Sequence, residues 1–235
     1  RGGLVSAMAG RLENEHIFVT GGAQGIGAAI VEKCLNEGAK VSFIDLDIAA
    51  AKDHAARLGA WPARLSFAQG DVRSAGDIAR AHDAARASFG PVTGLVNNAG
   101  RNSYADPVTM TEEQWDDVFA VDLKSAWLCA RAMLPDMLSA KKGSIVNIAS
   151  IHADLTYPGM FPYAAAKAGL VGMTRSLALE VGPQQIRVNA LSPGYTETPL
   201  LKEWFGRQPP EKQHDVLSVH AMGRMGKPME IANCV

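Results

Sequence analysis

His16-Ile17-Phe18-Val19-Thr20-Gly21-Gly22-Ala23-Gln24-Gly25-Ile26-Gly27 runs without a gap into AAIVEKCLNEG, residues 28–38. The apolar run HIFVT reads as a strand, the glycines as a turn, and the remainder as a helix with a glycine stop at Gly38. Gly21 and Gly25 can take backbone angles closed to other residues. A loop without side chains lets a pyrophosphate approach the amides and the positive end of the helix. Gly27 lets that helix pack tightly on the sheet. A second strand, KVSFID, then ends at Asp45. An acid at that place accepts hydrogen bonds from the ribose hydroxyls of a dinucleotide and repels a 2′-phosphate, so NAD is expected over NADP. The glycine spacing, GGAQG, departs from the more general GxGxxG turn.

The same alternation continues along the chain. A helix is expected from about Ile48 to Leu58, a third strand at LSFAQGDV, and a helix from Ser74 to Phe89. GLVNNAG leads to a long helix starting near Thr111, with a capping box formed by Thr111 and Gln114. GSIVNIAS precedes a helix at Tyr163, and IRVNALS follows it. Strands alternating with helices mean a parallel, doubly wound sheet with helices on both faces, an α/β domain of the Rossmann type.

Tyr163 and Lys167 stand four residues apart in YAAAK, with Ser150 thirteen residues before the tyrosine. Four residues is one helical turn, so phenol and ammonium share a face. A lysine charge there favours phenolate and lowers a tyrosine from about 10, making a proton acceptor near neutral pH.

Together these features resemble the short-chain dehydrogenase/reductase family, over nearly the whole chain from about Gly10. The resemblance rests on TGxxxGIG (with Gly21, Gln24, Gly25, Ile26 and Gly27), Asp71-Val72, NNAG (with Asn98, Ala99 and Gly100), Ser150, YxxxK, and SPGYTETP (with Pro193, Gly194, Thr196 and Thr198). It implies that Asp71 and Val72 sit by the adenine and that the SPGYTETP segment holds the nicotinamide carboxamide. Tyr163 would exchange the proton with the substrate, Lys167 would hold the nicotinamide ribose, and Ser150 would hydrogen-bond the substrate oxygen. Hydride would pass between the substrate carbon and the nicotinamide.

Two departures from the family pattern stand out. Val121-Asp122-Leu123 carries an aspartate where the family has a catalytic asparagine that helps place a water. An aspartate accepts the same hydrogen bond but cannot donate one unless protonated. If ionised, it stabilises the Lys167 charge and partly cancels its effect on Tyr163. The chain also ends at Val235, before the helix segment and seventh strand the resemblance implies. The expected strand order is therefore 3-2-1-4-5-6. Residues 1–10 read as a native arm or an expression remnant, and 11–235 as one domain, with a substrate lid at about 196–225.

Apolar residues make up 47% of the chain and charged residues 20%, with a net charge of −1. That balance suggests no nucleic-acid partner. No apolar run approaches the roughly 20 residues of a membrane span. Cys34, Cys129 and Cys234 are widely spaced and expected as free thiols in a cytoplasmic protein. The six histidines show no metal-binding spacing, so no metal is expected. The resemblance implies a homo-oligomer, tetramer or dimer, built on the long helix and the Tyr163 helix.

Polar groups around a few aromatics in the lid, and Arg101, Asn102, His152, Asp154 and Tyr157 in nearby loops, suit a monosaccharide or polyol better than a long acyl chain. His152 and Glu197 are the favoured substrate contacts beside Ser150 and Tyr163. The leading reading is an NAD-dependent sugar or alcohol dehydrogenase. A 3-oxoacyl-thioester reductase and a non-catalytic dinucleotide-binding protein are the alternatives, and the first of these is disfavoured by Asp45.

Overall fold

The computed structural model describes residues 10–235, so the expected N-terminal arm lies outside the described residues except for Gly10. Strand β1 (His16–Thr20) is buried along its whole length. A central parallel strand is covered on both faces, which is why its middle residues Ile17, Phe18 and Val19 are all apolar rather than alternating. Around it, β2 (Lys40–Asp45), β3 (Leu65–Gln69), β4 (Gly94–Asn97), β5 (Gly143–Ile148) and β6 (Ile186–Leu191) form one sheet of order β3-β2-β1-β4-β5-β6, every pair parallel. The expected order is the observed one.

Successive residues of a strand face opposite sides, so the sheet separates two cores. Ile17 and Val19 pack with Ile30, Val31 and Leu35 of α1 (Gly25–Asn36) and with Ala51 of α2 (Ile48–Arg57). Phe18 and Leu95 pack on the other side with Ile78 of α3 (Ala75–Phe89). Helix starts follow from local chemistry. Asp47 caps α2 by accepting from the amides of Ala49 and Ala50, and Ser74 caps α3 through the Asp77 amide. Thr111 and Gln114 form the capping box of α4 (Glu112–Phe119). Helix α1 is different: Gln24 gives no side-chain cap, and no acid occupies the first turn. Its first amides are therefore left for a ligand.

The long helix is not one regular rod. α4 passes through a π-helical turn, Ala120–Lys124, into α5 (Ser125–Ala140). That turn carries Asp122, and such widened turns collect at functional sites. Helix α6 (Tyr163–Val181) packs on β6, and α9 (Pro228–Ala232) packs on α1. Between β6 and α9 lie α7 (Pro199–Gly206) and α8 (Pro210–Ser218), within the segment expected as a lid.

The glycine turn is fixed by contact as well as by angle. Gly21 and Gly25 take φ of 65° and 57°, the left-handed region that favours glycine. A Cβ on Gly27 would lie 1.9 Å from the Gly21 carbonyl oxygen and 2.5 Å from Asn98 Nδ2. Neither neighbour can yield without moving the turn. Gly27→Ala is expected to destabilise the protein by about 3 kcal/mol, read as a lowered Tm, together with weakened dinucleotide binding by isothermal titration.

Candidate active site

A cleft of about 500 Å³ opens at the C-terminal ends of the strands. It straddles β1 and β4, where successive connections leave the sheet in opposite directions, the place at which doubly wound sheets bind ligands. Two loops meet there and are tied together. Thr20 Oγ1 accepts from the amides of Asn98 at 3.0 Å and Ala99 at 2.9 Å. Asn98 Nδ2 donates back to the carbonyls of Thr20 and Gly21, each at 3.0 Å.

Asp45 closes the far side of this turn. One carboxylate oxygen accepts from the Ala23 amide at 2.9 Å and the other from the Asp47 amide at 3.0 Å. Each oxygen retains a lone pair for a further donor. Gly21, Gln24, Gly25, Ile26, Asp45, Asp71, Val72, Asn98, Ala99, Gly100, Pro193, Gly194, Thr196 and Thr198 all line the cleft. The bare first turn of α1, the glycine angles and the free lone pairs of Asp45 fit a dinucleotide. Gly27 lies behind the cleft lining and acts through packing.

The other half of the cleft is placed by a chain of buried amides. Asn97 Nδ2 donates to Asn147 Oδ1 at 2.8 Å, and Asn147 Nδ2 donates to Thr174 Oγ1 at 2.9 Å. These bonds fasten β4 to β5 and β5 to α6. Ser150 stands just past β5, and Tyr163 and Lys167 lie on the first turns of α6, so all three reach the same cleft. The Ser150 side chain accepts from the His152 amide at 3.2 Å, which orients the hydroxyl.

Lys167 is buried. Its Nζ donates to the Ile148 carbonyl at 3.1 Å and stands 3.4 Å from Asp122 Oδ1. The same carboxylate oxygen accepts from the Arg101 amide at 3.1 Å, while Asp122 Oδ2 is buried without a hydrogen-bond partner. Gly100 leaves room for this pair, since a Cβ there would lie 2.8 Å from Asp122 Oδ1. Burial pushes Asp122 up, with Lys167 and Arg101 opposing, and pushes Lys167 down, with Asp122 opposing.

The expectation that Lys167 lowers Tyr163 is corrected. Burial pushes the Tyr163 phenol up to about 12, the Ser150 hydroxyl opposes the shift, and Asp122 adds to it. The ammonium lies over the tyrosine ring, 5.6 Å from its centre, and its charge is matched by Asp122. A matched charge exerts little pull on a third group.

Two substrate candidates separate here. His152 lines the cleft, with its ring 6.3 Å from that of Tyr163, and burial pushes its imidazole down towards the neutral form. Glu197 does not line the cleft; it pairs with Lys202 at 3.1 Å. Leu46, Arg73, Tyr104 and Tyr195 line the cleft without having been singled out from the sequence. Leu46, Arg73 and Tyr195 carried a usable signal, since each adjoins a recognised motif residue. Tyr104 carried none, because it reaches Tyr163, edge to face at 6.0 Å, through a long-range bridge to Pro162.

Residues 15–209 match the family model described as short chain dehydrogenase, and the chain belongs to that family. It is an oxidoreductase acting on CH–OH groups. It is 39% identical over 230 residues to "2-(S)-hydroxypropyl-CoM dehydrogenase 3" of Xanthobacter autotrophicus, covering 97% of this chain and 90% of the relative. It is 40% identical over 191 residues to "Probable galactose dehydrogenase GalD" of Rhizobium meliloti, covering 80% and 73%. Among solved structures, a variant of the actinorhodin polyketide ketoreductase with NADPH superposes with a TM-score of 0.87 at 31% identity, covering 94% of this chain and 88% of that one. No helix among the described residues is long and apolar enough to cross a membrane.

With Tyr163 as the base, alcohol oxidation would use its phenolate, and the rate would rise as pH passes upward through the Tyr163 pKa. An ionised Asp122 raises that pKa, so removing its charge lowers it. Asp122→Asn is expected to move the rising limb of the kcat/KM profile to lower pH, checked by steady-state rates across the alkaline range. A limb at the same pH in both proteins would mean that Asp122 carries no charge when Tyr163 ionises.

Proposed function

We propose that the protein is an NAD-dependent dehydrogenase that oxidises a secondary alcohol, a monosaccharide or polyol, with Tyr163 as the acid/base. One observation carries the reading: the Asp45-closed glycine turn and the Ser150, Tyr163 and Lys167 side chains open into one cleft. The first half suits NAD, because a carboxylate beside the ribose repels a 2′-phosphate. The second half suits removal of a proton from a hydroxyl and a hydride from its carbon.

In this mechanism the Ser150 hydroxyl holds the substrate oxygen and Tyr163 takes its proton. The cofactor supplies the hydride acceptor. Lys167 holds the nicotinamide ribose, and Asp122 fixes the lysine from behind. Pro193, Gly194, Thr196 and Thr198 hold the carboxamide, while Asp71 and Val72 flank the adenine. His152, neutral at physiological pH, gives the substrate a second hydrogen-bonding group. We place this chemistry in the cytoplasm, in a homo-oligomer assembled on α4, α5 and α6.

The preference for a neutral, hydroxylated substrate follows from the walls. Tyr104, His152 and Tyr195 are polar-tipped aromatics, while the charges of Arg73 and Arg101, which also line the cleft, are both matched by Asp117. A 3-oxoacyl-thioester reductase is the second reading. It is favoured by the likeness to a ketoreductase solved with NADPH and opposed by Asp45.

The test is NADH formation from NAD over a panel of aldoses, polyols, simple secondary alcohols and hydroxy acids. Turnover on hydroxylated neutral substrates, reduced about 10³-fold in Tyr163→Phe, is the expected result. Turnover only of oxoacyl thioesters with NADPH would replace it with the second reading. In the same assay Asp45→Ser is expected to raise the preference for NADP over NAD about tenfold, by removing the repulsion of the 2′-phosphate.

A further inference from the structure

The cleft has two lips. One is the segment between β5 and α6, which lines it through Ile151 and His152 and carries Tyr157 behind that lining; the other follows β6 and lines it through Tyr195. At their base they are stitched by the Ile151 amide, which donates to the Pro193 carbonyl at 3.0 Å. At their rim they are joined again, because the hydroxyls of Tyr157 and Tyr195 hydrogen-bond to each other. The end of the cleft beyond Ser150 and Tyr163 is therefore bounded by a closed ring of chain.

Both phenols are braced. The Tyr157 ring meets His152 edge to face at 4.9 Å, and His152 meets Tyr163 in the same manner at 6.3 Å. Tyr195 stacks nearly parallel on Trp204 of α7 at 6.3 Å and leans on His220, beyond α8, at 5.8 Å. Aromatic contacts of this kind hold rings in defined orientations. His152 Nδ1 is buried with no hydrogen-bond partner, in the layer between Tyr163 and Tyr157. A buried ring nitrogen without a partner calls for one.

We propose that Tyr157 and Tyr195 are specificity-determining residues that close the substrate end of the cleft and select compact, neutral alcohols carrying a neighbouring hydroxyl. This rests on the dehydrogenase reading above. The mutual hydrogen bond consumes one of the two phenolic protons, leaving one O–H donor and several lone pairs. A neighbouring hydroxyl of the substrate finds both a donor and an acceptor there. A long alkyl tail would have to separate the lips, breaking the bridge with no replacement for its hydrogen bonds. Because Tyr195 rests on Trp204 and His220, separation also displaces the lid helices.

The test uses full-length protein and NAD with Tyr157→Phe, Tyr195→Phe, the double variant and Tyr195→Ala. Substrates are secondary alcohols of increasing length, each with and without an adjacent hydroxyl. The Phe variants are expected to lose about tenfold in kcat/KM on hydroxylated substrates, the value of one hydrogen bond, with simple short alcohols changed less than about twofold. Tyr195→Ala is expected to raise kcat/KM for long alcohols relative to short ones about tenfold. An unchanged substrate ranking in all four variants overturns the proposal.

Trp204 fluorescence in the NADH complex, with Trp204→Phe as the control, reads occupancy without turnover. Polyol-dependent change that is lost in the Phe variants supports the bridge even where the wild type fails to turn over, an outcome that would sink the dehydrogenase reading alone. Absence of any polyol response, with NADH bound, overturns the proposal as well.

Discussion

The hydrogen bonds between Thr20 and Asn98 hold the whole site open. Parallel strands leave their C-terminal ends unpaired, and β1 and β4 send their chains to opposite faces of the sheet. Without a tie, the glycine turn and the NNAG loop would each be free to fold into the gap. Thr20 Oγ1 takes two amides of the NNAG loop, and Asn98 returns two bonds to the carbonyls of the turn. Four reciprocal bonds leave neither loop an independent conformation. They also explain the glycine at position 27, because Asn98 and the Gly21 carbonyl occupy the space that any side chain there would need.

From that tie, order spreads along the sheet by buried amides rather than by apolar packing alone. Asn97, Asn147 and Thr174 link β4, β5 and α6, the last two being the elements that carry Ser150 just past one end and Tyr163 in the first turn. An apolar contact tolerates sliding, while a buried amide pair does not, because a small shift leaves donors and acceptors unpaired at a cost of about 1–3 kcal/mol each. The reacting groups thus inherit the register of the sheet. The lips and lid beyond them are held by aromatic rings, whose contacts allow more movement.

Much of this was legible in the sequence because it is local. HIFVTGGAQGIG places strand, turn and helix within twelve residues, and Tyr163, Lys167 and Ser150 are fixed by one helical turn and one strand end. The capping box at Thr111 and Gln114 is likewise a short-range device and formed as read. What escaped the sequence depends on distant partners. The π turn at Ala120–Lys124 has no local signature; it places Asp122 beside Lys167, more than forty residues away in the chain. Tyr104 becomes a wall of the site only through its bridge to Pro162. Glu197 looked well placed by adjacency to the nicotinamide segment, yet the backbone turns its side chain to Lys202.

The lysine argument shows the same limit in electrostatic form. Spacing alone puts a positive charge beside Tyr163 and so implies an easily ionised phenol. Tertiary structure adds two opposing facts: burial, which disfavours any lone charge, and Asp122, which claims the lysine. Burial drives the carboxyl up and the ammonium down, so each moves towards neutrality and each is restrained by the other. The pair is close to charge-balanced whichever way its proton lies. For the acid/base role proposed above, such a pair leaves the Tyr163 phenol protonated near neutral pH, because burial is the larger influence on it and the lysine charge is already matched.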